Sequence, residues 1–166
     1  MHRWWLVSLL LASAPGWAED GLSLVAQDGQ PVVLRPADGQ LLVLHFWATW
    51  CPTCVTELGD LQRAAEHCPT DRLRVIAVNV GEEPAAIAAF VSEHGVTLPV
   101  LRDPAGDAWR EIDGRGLPTN LFWSAEEKRS EVGPKSASEW SALVAPHGCE
   151  TNPAGTKPEE PAPQAR

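Results

Sequence analysis

Apolar residues are distributed along the 166-residue chain in two rhythms. Leu41-Leu42-Val43-Leu44-His45-Phe46-Trp47 and Leu73-Arg74-Val75-Ile76-Ala77-Val78-Asn79-Val80 are apolar at almost every position, as strands buried on both faces are. Between them Val55, Leu58, Leu61, Ala65 and Cys68 recur at three and four residues. They share one face of a helix that opens at Cys51 and that Pro69 closes. Upstream, two apolar stretches within Leu22 to Leu34 flank Asp28-Gly29, a dipeptide of tight hairpin turns, and Asp38-Gly39 marks the next loop.

Gly81-Glu82-Glu83-Pro84 puts acids and a proline at the start of a second helix, with Ile87, Phe90 and Val91 as its apolar stripe and Gly95 as its cap. Leu117 to Trp123 and a short run near Val132 read as an antiparallel pair. Ser136-Ala137-Ser138-Glu139 has capping-box spacing and predicts a last helix running to about Ala145. A strand, helix, strand unit followed by helix, two strands and helix is an α/β sandwich on a mixed sheet.

The two ends follow other rules. Met1, His2 and Arg3 are a basic start, and Trp4 to Ala14 is an apolar run of about eleven residues, too short for a bilayer that needs roughly twenty. Gly16-Trp17-Ala18 sets small residues at the third-last and last places before Glu19, which predicts a signal peptide over residues 1–18 cleaved after Ala18. The alternative is an N-terminal membrane anchor that stays uncleaved. Export would put the mature cysteines in an oxidising compartment. After Cys149 periodicity stops, and residues 150–166 read as a disordered tail rich in Pro and Glu, leaving one domain over 19–149.

With 44% hydrophobic and 21% charged residues, the composition excludes a fully disordered chain, a collagen-like one and a polytopic membrane protein. Thirteen Lys plus Arg against twenty-two Asp plus Glu gives −9, which argues against a nucleic-acid partner.

Candidate chemistry is concentrated in Phe46-Trp47-Ala48-Thr49-Trp50-Cys51-Pro52-Thr53-Cys54. Two cysteines separated by two residues at a strand-to-helix junction can close a disulfide across the first helical turn. The unpaired N–H groups and partial positive charge of that helix end favour a thiolate at Cys51, making it the attacking sulfur. Cys54, one turn in, would resolve the mixed disulfide. Half a zinc site looks the same, but no second pair at matching spacing exists. His45, His67, His94 and His147 show no ligand spacing, so no metal and no cofactor beyond the redox disulfide is expected. A peroxidase is disfavoured, because Thr49 stands two places before Cys51 rather than three and no matching Pro precedes it.

Phe46 to Cys54, the upstream hairpin and the downstream Gly116-Leu117-Pro118-Thr119 resemble the thioredoxin-like TlpA/ResA/CcmG (DsbE) group of exported bacterial thiol:disulfide oxidoreductases. The resemblance spans roughly Leu22 to Ala145. It implies a thioredoxin-like fold, with a central mixed sheet, helices on both faces and an N-terminal hairpin, in a periplasmic protein. It implies a cis bond before Pro118 facing the cysteine pair, with Leu117, Pro118 and Thr119 along a substrate groove to which Trp50 and Pro52 contribute; Trp47 fits the core better.

Glu57, three positions after Cys54, takes the place of a family glutamate near the active site. It would raise the Cys54 thiol pKa or accept its proton; a first-turn acid suiting the helix dipole is the plain alternative. His45 departs from the pattern, standing where thioredoxins proper keep a buried acid, and Gly59 replaces a usual Pro, so the helix is expected to continue without a kink. The fold implied places the ends of the active-site and last helices together, which leaves two readings of Cys68 and Cys149. They form a structural disulfide, or Cys68 packs as a small hydrophobe.

The function implied is reduction of protein disulfides in cytochrome c maturation or metal-centre assembly. Apocytochrome c or a copper-site protein would be the substrate and a membrane thiol the electron donor. A disulfide-forming oxidase or isomerase, or a copper-binding assembly factor, are the alternatives.

Overall fold

The computed structural model describes residues 21–66 and 68–149. The predicted signal peptide, the predicted tail and His67 lie outside the described residues. Seven strands form one sheet: β1 (Leu22–Val25), β2 (Pro31–Leu34), β3 (Leu41–Trp47), β4 (Leu73–Val80), β5 (Val100–Asp103), β6 (Thr119–Trp123) and β7 (Lys128–Val132). Their order across the sheet is β2-β1-β5-β4-β3-β6-β7. β3, β4 and β5 run parallel, while β6 pairs antiparallel with β3, β7 with β6, and β1 with both β2 and β5. The helices are α1 (Pro52–Ala65), α2 (Pro84–His94), α3 (Asp107–Glu111) and α4 (Ala137–Val144), the last continued by a 3-10 turn.

β3 and β4 occupy the residues their unbroken apolar runs predict, and alternation sorts their side chains onto two faces. Leu42, Leu44, Phe46, Ile76 and Val78 join Leu121 and Trp123 of β6 under α3 and the hairpin. On the other face are two clusters. Val43, Val75 and Phe122 pack with Leu61 of α1 and Trp140 and Val144 of α4, while Trp47 and Ala77 pack with Cys51, Cys54, Leu58 and Ile87. Helices therefore cover both faces of a mixed sheet, with the N-terminal hairpin as its β2-β1 edge, as the resemblance implied.

The caps account for the helix limits. Gly95 closes α2 in the left-handed conformation, and Ser136 with Glu139 completes the capping box of α4. α1 runs unbroken through Gly59 and stops at Ala65, a turn earlier than Pro69 predicts. Its buried residues are Cys54, Glu57, Leu58 and Leu61, so the inward face is rotated from the predicted stripe: Val55 is only half-buried, and Glu57 points in.

Two elements escape the sequence pattern. β5 has four residues, of which Arg102 and Asp103 are polar yet buried. Arg102 donates from Nε and Nη2 to the Ala26 carbonyl at 3.3 Å each, tying the hairpin to the parallel core. α3 has five residues, too few to show a helical period. Asp103 Oδ2 accepts from the Trp109 backbone N–H at 2.8 Å and anchors α3 to β5. Gly114 then passes so close to the Trp109 indole that a Cβ there would lie 2.3 Å from its nitrogen.

Candidate active site

Cys51 is the N-cap of α1, in extended conformation, and Pro52 occupies the first turn. The Cys54 backbone N–H donates to Cys51 Sγ at 3.3 Å, and the Thr53 hydroxyl lies 3.5 Å from the same sulfur. A helix-end N–H thus points at the sulfur that the sequence marks as nucleophile, an arrangement that stabilises negative charge on it. Cys51 and Cys54 form a disulfide, with Cα atoms 5.3 Å apart. Cys51 retains 6% exposure and Cys54 has none, so of the two residues only Cys51 keeps contact with solvent.

The Leu117–Pro118 bond is cis. Leu117 packs against the cluster holding Cys51, Cys54 and Trp47, which brings this segment to the disulfide. Its position is secured from both sides. Trp109 Nε1 donates to Thr119 Oγ1 at 3.3 Å, Thr119 Oγ1 donates to the Gly116 carbonyl at 2.6 Å, and the Pro118 carbonyl accepts from Gly133 N–H at 2.9 Å. Trp109 is thus a supporting residue that sequence reasoning missed along with α3. Trp50 stands 68% exposed next to Cys51, whereas Trp47 is fully buried and tilted against Phe90 at 5.1 Å.

Glu82, read from sequence only as an acid ahead of α2, reaches back to the segment before Cys51. Its carboxylate accepts from the Thr49 backbone N–H at 2.7 Å, from the Thr49 hydroxyl, and from Asn79 Nδ2 at 2.6 Å. Partial burial would raise its pKa, but the hydrogen bonds from Thr49 and Asn79 prevail and lower it. A link across 33 residues has no local signature.

Beneath the disulfide lie three buried polar residues. His45 and Asn120 face each other across β3 and β6, and His45 Nδ1 is 2.8 Å from Asn120 Oδ1. Asn120 Nδ2 donates to Glu57 Oε1 at 2.8 Å. Burial holds the His45 imidazole down to about 4, against the opposing pull of the Asn120 amide oxygen and the Cys54 backbone beside the ring, so the ring is neutral at ordinary pH. Burial pushes the Glu57 carboxyl above the usual carboxylate range, opposed first by Asn120 and then by the backbone and charge of Lys135 and by Trp140.

At the far end of α1, Cys68 and Cys149 form a second disulfide, with Cα atoms 4.2 Å apart across a sequence separation of 81. Among the described residues no group of three or more His, Cys, Asp or Glu side chains is gathered as for a metal ion.

A thioredoxin-like fold with a two-cysteine disulfide at the start of a helix and a cis-proline segment beside it places the chain in the class of thiol-disulfide oxidoreductases. The AhpC/TSA family profile matches residues 15–127, more than half of the chain, and the chain belongs to that family. It is similar to sporulation thiol-disulfide oxidoreductase A of Bacillus subtilis, with 28% identity over 114 residues, 64% of this chain and 69% of that protein. It is 31% identical to the thiol-disulfide oxidoreductase ResA of the same organism over 115 residues, 68% of this chain and 64% of ResA. The chain therefore spans about two thirds of these relatives' length.

The fold is shared with a secreted Mycobacterium tuberculosis disulfide oxidoreductase homologous to E. coli DsbE (TM-score 0.64, 24% identity, 75% of this chain and 94% of that one). It is shared equally with StoA from Bacillus subtilis (TM-score 0.61, 24% identity, 74% and 94%).

Proposed function

We propose that the protein is exported, with cleavage after Ala18, and that it reduces disulfides of other proteins in the periplasm by cycling Cys51 and Cys54 between dithiol and disulfide. The observation that carries this reading is the asymmetry of the pair: Cys51 Sγ accepts the Cys54 N–H at the helix end and keeps slight exposure, while Cys54 is sealed one turn behind it. Cys51 thiolate attacks a substrate disulfide, forming a mixed disulfide and releasing one substrate thiolate. Cys54 then attacks Cys51 Sγ, closing the Cys51–Cys54 bond and releasing the second substrate sulfur, so two electrons pass to the substrate.

Trp50 offers the exposed apolar surface for docking, with exposed Pro52 and half-buried Leu117 bordering the approach; Pro118 and Thr119 are buried and support that segment from within. Glu57 takes the proton of Cys54 as that thiol attacks. The substrates proposed are apocytochrome c or a copper-site protein, with a membrane thiol donor restoring the dithiol. The resemblance to the ResA and DsbE group supports that direction of electron flow.

The test is the reduction potential of the Cys51–Cys54 pair in thiol buffers, with mass mapping to separate it from Cys68–Cys149. A value near about −270 mV supports a reductant. A value near about −120 mV makes the protein an oxidant and overturns the reductive reading.

A further inference from the structure

His45, Asn120 and Glu57 form a polar island between the two apolar clusters on the α1 face of the sheet. Burying three such groups costs stability that apolar side chains would not cost. The chain that joins them also has two open ends. Glu57 Oε2 and His45 Nε2 are both buried, and neither meets a partner in full hydrogen-bonding geometry. Trp140 Nε1, on α4 above Glu57, is likewise unpartnered.

An amide can bridge a carboxylate and an imidazole in one sense only. A carboxylate only accepts, so the NH2 of Asn120 faces Glu57. The amide oxygen then faces His45, and the ring nitrogen that meets it must carry the proton. His45 is thereby the neutral Nδ1–H tautomer, and its bond to Oδ1 keeps Asn120 from turning over.

We propose that Asn120 is a positioning residue for the resolving half-reaction: held in one orientation by His45 Nδ1–H, it donates to Glu57 Oε1 and leaves Oε2 open to take the proton of Cys54. This rests on the disulfide-exchange reading above. As Cys54 attacks, the bond from Cys51 to the substrate sulfur breaks and its electron pair leaves with that sulfur. The Cys54 proton passes to Glu57, and the substrate thiolate takes one from water. The Asn120 donor stabilises the carboxylate and holds the proton affinity of Glu57 within working range. The other groups facing Glu57 are Lys135, between β7 and α4 and itself paired with Glu131 of β7, and Trp140 of α4. None of them reaches Oε2 in hydrogen-bonding geometry.

The test uses the reduced protein mixed with excess 5,5′-dithiobis(2-nitrobenzoate) across pH. The first thionitrobenzoate release reads attack by Cys51, and the second reads resolution by Cys54. In the wild type the second rate should rise through an inflection above the ordinary carboxylate range. Asn120→Leu, which removes the donor, should move that inflection up by about one unit, slowing the second release relative to the first about tenfold on the acid side. His45→Leu, which frees Asn120 to turn, should shift it the same way by less.

An inflection that stays put in folded Asn120→Leu overturns the proposal and leaves disulfide exchange standing. A wild type with no first release overturns exchange itself and the proposal with it. Should the variants fail to fold, nitrogen-15 NMR of wild-type His45 decides: the Nδ1–H tautomer is expected, and Nε2–H overturns the proposal.

Discussion

One helix carries a disulfide at each end, and the two bonds live in opposite electrostatic settings. At the N-terminus of α1 the Cys54 N–H donates to Cys51 Sγ, and the helix end favours a thiolate when the bond opens. Cys68 follows the C-terminal end, where the carbonyl ends of the helix disfavour negative charge. The loops differ as much as the fields. Cys51–Cys54 spans three positions and restrains almost nothing beyond one turn, while Cys68–Cys149 spans 81 and ties the end of α1 to the segment that follows α4. The same covalent bond is therefore placed to suit exchange at one end and stability at the other, and position along the helix sets the difference.

The largest separation should appear on removing each pair in turn. Cys51→Ser should abolish turnover of a protein disulfide, while the double variant Cys68→Ser, Cys149→Ser should keep it. Insulin reduction coupled to a thiol donor reads this directly, and equal losses in both would erase the distinction between the ends. In urea the ranking should invert. Loss of the 81-residue closure should cost about 4 kcal/mol, against less than about 2 for opening Cys51–Cys54.

A third effect belongs to the polar island behind the reactive end. His45 stays neutral in the fold down to about pH 4, whereas the unfolded chain charges it near 6.5. The native state thus binds fewer protons across that window, so this stability is complete above 6.5 and is lost as pH falls towards 4. The shift corresponds to about 3 kcal/mol. His45→Leu should flatten the fall when urea midpoints at pH 7 and 4.5 are compared. Glu57 acts in the opposite sense, because its raised pKa weakens the fold as pH climbs through it, and Glu57→Gln should remove that loss. The smallest effect should come from Glu82→Gln, which weakens the hold on Thr49 by about 1 kcal/mol and is read as faster hydrogen exchange at the Thr49 amide.

What the chain reveals before folding depends on whether the signal is local. β3, β4 and α2, with the Gly95 cap and the capping box at Ser136, stand where runs and spacing predict them, because each is set by neighbours in sequence. β5 and α3 do not, being short and held by Arg102 and Asp103 to partners outside themselves. The predicted stripe on α1 chose Val55 because an inward face is normally apolar; this helix instead turns Glu57 to the core, where Asn120 receives it.

Sequence alone determined the fold class and the cysteine pair with its polarity, since a two-residue spacing at a strand-to-helix junction fixes which sulfur sits at the helix end. Only tertiary structure decided that Asn120 would join Glu57 to His45 and that Cys68 would meet Cys149. Those contacts arise across 63, 75 and 81 residues, where the sheet register and the packing of α1 against it, rather than any local pattern, choose the neighbour.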